Sequence, residues 1–217
     1  PYTFPKIAIV DPLLTKSMSP NLTADTGFDA LSHAVEAYLS VNANPLSDML
    51  AKKAITLIAG SLVEATKNGE NLQARANMAL ASTLAGMAIS QAGVVAGHGL
   101  GMSIGGILDT PHGRTVGILL PYIMEDNLPE ASSKISQLAS CFNIPSSGNV
   151  ADDARKVIDA VKKMIDETAL PTRLRDIGVS EKDIPKIAED CMDRPDMANN
   201  PRKFDTERVK EFLKLIL

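Results

Sequence analysis

The chain contains three histidines, and each stands where it could serve one metal ion. His33 closes the run Asp29-Ala-Leu-Ser-His33, His98 stands in Gly97-His98-Gly99-Leu100-Gly101, and His112 stands in Thr110-Pro111-His112-Gly113. Neutral imidazole is the commonest protein ligand for zinc and iron. Asp29 and His33 are four residues apart, and on a helix that spacing places both side chains on one face. A carboxylate oxygen and an imidazole nitrogen can then share a divalent cation, with His98 and His112 arriving from two further helices. Three nitrogens and one oxygen with no thiolate favour Zn²⁺ or Fe²⁺ over Ca²⁺ and Mg²⁺, which take oxygen shells. Spacing alone leaves ordinary readings open. The Asp/His pair could be an exposed polar pair, His98 could bond a backbone carbonyl, and His112 could serve a helix start.

The elements that would carry these groups are mostly helical. Lys6-Ile-Ala-Ile-Val10 reads as a short strand. Asp11-Pro12 and Ser19-Pro20 punctuate a loop, and Asp29, Ala30, His33, Ala34, Ala37 and Tyr38 recur at helical steps. Asn44-Pro45 starts a second helix, Asn as cap and Pro at the first position, running to Gly60. Residues 71–92 form the least polar helical stretch, rich in Ala, and read as the buried central helix. Gly97, Gly101 and Gly105 repeat every four residues and form one bare helical face, with His98 and Met102 adjoining. Each glycine costs about 1 kcal/mol relative to Ala, so something should offset them. Thr110-Pro111 starts a helix by the same cap logic and ends near Asn127-Leu-Pro129. Ala154, Val157, Ile158, Val161, Met164 and Ile165 mark an amphipathic helix that ends by Pro171. Two short helices follow around Leu174–Ile177 and Ser180–Pro185, and Asp205 or Thr206 caps the last one.

The composition is globular, with 45% hydrophobic, 22% charged and only 4% aromatic residues. Scarce aromatics with abundant Ala, Leu, Ile and Met favour packed helices over a β-sandwich. A formal charge of −4 without a basic stripe excludes nucleic acid as the expected partner. Cys141 and Cys191 form no metal or redox spacing, so a reducing, cytoplasmic compartment is the default. No apolar run approaches the ~18 residues a membrane helix needs. No register of Gly97–Gly106 gives the dinucleotide fingerprint GxGxxG, and no GxSxG nucleophile elbow occurs. The expectation is a single, mainly α-helical domain over residues 1–217, with 1–20 as lead-in strand and loop. Because the chain starts at Pro1 with an unpartnered strand, it reads as the C-terminal part of something longer, a trimmed chain being the alternative.

Some residues go beyond spacing. The run Thr26-Gly-Phe-Asp29-Ala-Leu-Ser-His33-Ala-Val-Glu36-Ala-Tyr38 resembles the metal motif of the iron-containing (group III) alcohol dehydrogenases. Asn44-Pro-Leu-Ser-Asp48 is similar to an adjoining motif. Ala92-Gly-Val-Val-Ala-Gly-His98 through Gly105-Gly-Ile-Leu-Asp-Thr-Pro-His112-Gly resembles the family's second signature, and Asn200-Pro201-Arg202 its closing motif. The likeness extends over nearly the whole chain.

The resemblance implies a fold of the dehydroquinate synthase-like/iron alcohol dehydrogenase type. There a nucleotide-binding α/β domain precedes a helical bundle-like domain, with a metal in the cleft between. This chain corresponds to the helical half and lacks the Gly-rich phosphate loop. By matching positions, Asp29, His33, His98 and His112 would hold Fe²⁺ (or Zn²⁺). No catalytic residue beyond them is implied. NAD or NADP would be bound mainly by the other domain, with Leu14, Thr15 and Met102 as cofactor neighbours here. The implied reaction is hydride transfer between a small alcohol or aldehyde and nicotinamide, with the metal as Lewis acid, in a homo-oligomer. Many members carry another histidine where this chain has Met102, and proline where it has Ser103. Methionine can pack but cannot relay protons. The chain alone is expected to lack dehydrogenase activity. Two rivals stand beside this reading: a helical metallohydrolase with Glu36 as general base, and a non-catalytic helical assembly domain.

Overall fold

The computed structural model describes residues 6–217. A 3-10 turn at Pro12–Thr15 leads into α1 (Pro20–Leu39), α2 (Pro45–Ala59), α3 (Leu62–Lys67) and α4 (Leu72–Ala92). Next come α5 (Ala96–Leu108), α6 (His112–Asp126), α7 (Leu128–Gln137), a 3-10 turn at Leu138–Phe142, and α8 (Val150–Glu167). Two 3-10 turns, Leu174–Ile177 and Glu181–Asp183, precede α9 (Ile184–Met192), α10 (Pro195–Asn199) and α11 (Thr206–Ile216).

Local chemistry sets most helix starts. Ser19 caps α1 with Pro20 behind it, and Asn44 caps α2 through a reciprocal bond with Ser47. Asn71, Asn149 and Asp205 cap α4, α8 and α11. Each such cap supplies an acceptor to an otherwise orphaned N–H and contributes about 1 kcal/mol.

The buried residues form two clusters. The first joins α1, α2, α4, α7 and α8 around Phe28, Leu31, Tyr38, Ile55 and Ile58. The second joins α5, α9 and α11 around Leu100, Ile104, Ile187 and Leu213. Helix α6 feeds both, Leu120 and Met124 entering the first and Ile118, Leu119 and Ile123 the second. The joint between them is therefore α6, and α1 packs against α2, α4 and α6 on the first-cluster side.

Three expectations need correction. Lys6–Val10 forms no strand, and no strand occurs among the described residues. Ile7 and Ile9 are 83% and 88% exposed, because every described neighbour is helical and offers no ladder to join. The central helix is α1, buried on nearly all sides, rather than α4. Helix α4 buries an alanine face (Ala81, Ala85, Ala88, Ala92) and leaves Leu80 and Met87 exposed. Small residues permit the close approach to α1 and α2, with Met78, Leu84 and Ile89 packing at the edges of that face. Helix α6 begins one residue later than its cap pattern suggested. Pro111 is the N-cap with no side-chain bond, and Thr110 Oγ1 instead pairs with Thr115 Oγ1 at 2.8 Å. His112 is therefore the first residue of α6.

Candidate metal centre

Asp29 and His33 lie one turn apart on α1, as the spacing requires. Helix α4 is closed by Gly93, whose φ of +69° suits the missing side chain, and α5 leaves at 104° to it. Asn199 Nδ2 donates to Val94 O at 3.0 Å and holds this corner. The bend aims the first turn of α5, with His98, at the middle of α1. Helix α6 brings His112 to the same place from its first turn. It approaches α1 closely because Gly113 has no side chain; a Cβ there would stand 2.3 Å from Asp25 O. Beside that contact Arg114 grips Asp25 with two bonds of 3.1 and 3.0 Å.

The four groups predicted from sequence thus converge. Asp29 Oδ1 lies 3.6 Å from His98 Nε2 and 3.4 Å from His112 Nε2, while Asp29 Oδ2 lies 3.7 Å from His33 Nδ1. The His33 and His98 rings stack with centroids 4.4 Å apart, and His112 lies 5.3 Å from His98. Asp29, His33 and His98 each offer a ligand atom within 4.8 Å of the others.

These separations are too long for hydrogen bonds. They match donors that face a common ion: two atoms about 2.0–2.2 Å from one tetrahedral centre stand about 3.4 Å apart. A second observation agrees. Asp29 Oδ1 and His98 Nε2 are buried without any hydrogen-bond partner, a state that costs about 1–3 kcal/mol per atom unless something fills it. The one other such atom among the described residues, Asp48 Oδ1, has the Lys134 ammonium 3.8 Å away. The donor set therefore fits a divalent cation, with imidazole and carboxylate suited to iron or zinc.

The electrostatics point the same way. Burial works to raise the Asp29 carboxyl, but the His98, His33 and His112 imidazoles outweigh it and hold it below its ordinary value. Burial, with His98 nearby, holds His33 below the ordinary imidazole range, and burial does the same for His112. Both keep a lone pair at neutral pH. His98 is opposite: burial pulls it down, but the Glu36 and Asp29 carboxylates take it up to about 10. A pocket that drives a buried imidazole to ionise is one that calls for positive charge.

Glu36 is not the general base considered for a hydrolase. Its side chain is fully buried and both its oxygens are engaged by α5. Oε2 accepts from the N–H of Val95 at 2.7 Å and of His98 at 3.2 Å, and Oε1 stands 2.9 Å from His98 Nδ1. Two of the three glycines on the bare face of α5 are explained here: a Cβ on Gly97 would meet Glu36 Oε1 at 2.3 Å, and one on Gly101 would meet Val116 at 2.5 Å, whereas one on Gly105 would come no closer than 3.6 Å to Thr110 O. Sequence reasoning missed this contact and the Asp25–Arg114 pair. The only signals available were that Glu36 follows His33 by one turn and that Asp25 precedes Asp29 by one.

The three cofactor candidates are placed differently. Leu14 is 78% exposed. Thr15 Oγ1 donates to Pro12 O at 2.7 Å and lines a cavity against α1 and α4 that holds none of the histidines. Met102 is exposed on α5 one turn beyond His98. Among the described residues no single helix is long and apolar enough to cross a membrane.

Residues 23–217 match the model of the Fe-containing alcohol dehydrogenase family, C-terminal. The chain is 41% identical over 206 residues to 1,3-propanediol dehydrogenase of Klebsiella pneumoniae, covering 94% of this chain and 53% of that protein. The crystal structure of a 1,3-propanediol oxidoreductase superposes with a TM-score of 0.93 at 39% identity, over 95% of this chain and 55% of that one. A sulfoacetaldehyde reductase of Bifidobacterium kashiwanohense, solved in complex with NAD⁺, superposes with a TM-score of 0.88 at 28% identity, over 98% and 55%. The chain spans about half the length of the curated relatives it matches. A partly buried, cation-seeking cluster on a helical scaffold shared over nearly its whole length with these enzymes leads to one conclusion: the chain belongs to the Fe-containing alcohol dehydrogenase family and corresponds to its C-terminal part.

Proposed function

We propose that Asp29, His33, His98 and His112 hold a catalytic Fe²⁺ (or Zn²⁺), and that the protein transfers hydride between a small alcohol or aldehyde and NAD or NADP. The observation that carries this is the pair of buried, unpartnered atoms Asp29 Oδ1 and His98 Nε2 at the meeting point of α1, α5 and α6. The family supports iron, and the NAD⁺ complex of the sulfoacetaldehyde reductase supports a nicotinamide cofactor. The relatives' small alcohol and aldehyde substrates support the same class here.

A divalent ion in this cluster supplies Lewis-acid polarisation of the substrate oxygen. The chain's own residues do the rest. Asp29 contributes the negative charge that the site needs to hold a cation. His98 sits in the buried wall and fixes one side of the cluster. His112, with 43% of its side chain exposed, forms the open side from which a small oxygen-bearing molecule would enter. Met102, on the turn after His98, has no proton to give or take, so it contributes packing and water exclusion. Both cysteines are free and buried, which agrees with a reducing, cytoplasmic setting.

The test is metal analysis joined to turnover in the full-length protein. Stoichiometric iron or zinc is expected, with NAD(P)-linked oxidation of 1,3-propanediol. Asp29→Asn is expected to lose both. Hydride transfer by a metal-free wild type, or ester hydrolysis in its place, would overturn the reading.

A further inference from the structure

We infer that Glu36 is a positioning residue that fixes the tautomer and ring orientation of His98, and that it does so by capping α5 from another helix. The inference rests on the metal-centre reading above and extends it to a side chain outside the ligand set.

The first turn of α5 has no cap of its own: Val95 occupies the cap position with no side-chain bond. Its orphaned N–H groups would be buried, since Val95, Ala96, Gly97 and His98 all lie in the interior. Glu36, from the middle of α1, supplies the missing acceptor. One carboxylate oxygen takes the Val95 and His98 N–H groups. A negative charge at that position also faces the positive end of the α5 dipole. The other oxygen meets His98 Nδ1. A carboxylate can only accept, so Nδ1 keeps its proton on the imidazole, and Nε2, which faces Asp29, is the nitrogen left to give up its own proton to a bound ion. Gly97 makes this geometry possible by leaving room for Oε1. The same side chain thus docks α5 on α1 and presents the correct nitrogen to the ion. A partner of this kind also raises the basicity of the imidazole as a ligand.

Glu36→Gln isolates the claim. Gln keeps the size but only one oxygen. If that oxygen stays on the backbone N–H groups, the amide NH₂ faces His98 Nδ1 and forces the proton to Nε2, which can then no longer bind a metal. If the amide turns round, its NH₂ meets the Val95 N–H, donor against donor. The full-length wild type and Glu36→Gln should be compared by chelator competition with Zn²⁺, and by ¹⁵N NMR of the zinc-loaded histidines. Zinc is diamagnetic and suits both measurements.

In the wild type we expect His98 to bind zinc through Nε2 while keeping a slowly exchanging Nδ1 proton. In Glu36→Gln we expect roughly 10–100-fold weaker zinc binding. A merely structural cap would not decide which nitrogen binds. Zinc on Nδ1 of His98 in the wild type would overturn the assignment even if the variant failed to fold. So would a folded Glu36→Gln protein with wild-type affinity. A wild type that binds no zinc would overturn the metal-centre reading itself, and this assignment with it.

Discussion

Burial separates the work of His98 from that of His112. His98 is 1% exposed and answers the buried Glu36 carboxylate, whereas His112 is 43% exposed on its side chain and answers no group but Asp29. Removing His98 leaves the buried Glu36 Oε1 without its side-chain partner, a defect that costs about 1–3 kcal/mol and more for a charged group. Removing His112 strands nothing, and comparable surface changes stay within about 0.5 kcal/mol. Urea unfolding of metal-free protein should therefore show His98→Ala strongly destabilised and His112→Ala near wild type, while both lose tight metal binding. Equal stability losses would mean that the Glu36–His98 contact contributes little to the fold.

The same contact governs the elements. Helices α1 and α5 can cross where they do because Gly97 is bare on the side that faces Glu36. The helical cost of that glycine, about 1 kcal/mol relative to Ala, is offset by the cap and the ligand orientation it admits. Gly97→Ala is therefore expected to destabilise by about 1–3 kcal/mol through overpacking, despite the better helix former. Gly106 lies on the same helix, and a Cβ there would meet nothing within 4 Å. Gly106→Ala should stabilise by up to about 1 kcal/mol. Thermal unfolding of the pair reads both signs, and a stabilised Gly97→Ala would show that α5 can shift away from α1 at no cost.

In the whole molecule, the candidate centre lies at the joint of the two cores. Its ligands come from α1 in the first cluster, α5 in the second, and α6, which belongs to both. A second fastening ties the end of α6 to the C-terminal segment, where Asn127 and Asn200 exchange side-chain bonds of 3.0 Å and are both fully buried. An ion bound only by the native arrangement stabilises it by mass action, about 2.7 kcal/mol at a concentration 100 times Kd. For a chain of this size each kcal/mol moves Tm by about 2–4 °C. Zinc should therefore raise Tm by several degrees in a single cooperative transition, and a chelator should reverse it. A metal-dependent shift in only one of two separate transitions would mean that the cores unfold independently and the centre does not join them.

Much of this was legible where the physics is local. Asn44-Pro45 and Asp205 marked helix starts because a cap is satisfied within three residues. Asp29 and His33 were bound to share a face because helical geometry repeats within four. His98 and His112 stood out as histidines free for the same ion, and the motif resemblance assigned them by matching positions, without saying how they meet. Tertiary structure alone decided the rest. Glu36 acts on a residue 62 positions away, and no periodicity in the chain records that distance. An alanine-rich stretch became a half-exposed helix because packing selects a close-fitting face over a greasy one. Lys6–Val10 stayed out of any sheet because a strand exists only where another edge accepts its hydrogen bonds. Sequence determined which groups were available and which helices carried them, since those depend on neighbours along the chain. Which orphaned atoms would face one another depended on how the helices crossed, and that was settled only when α6 joined the two cores.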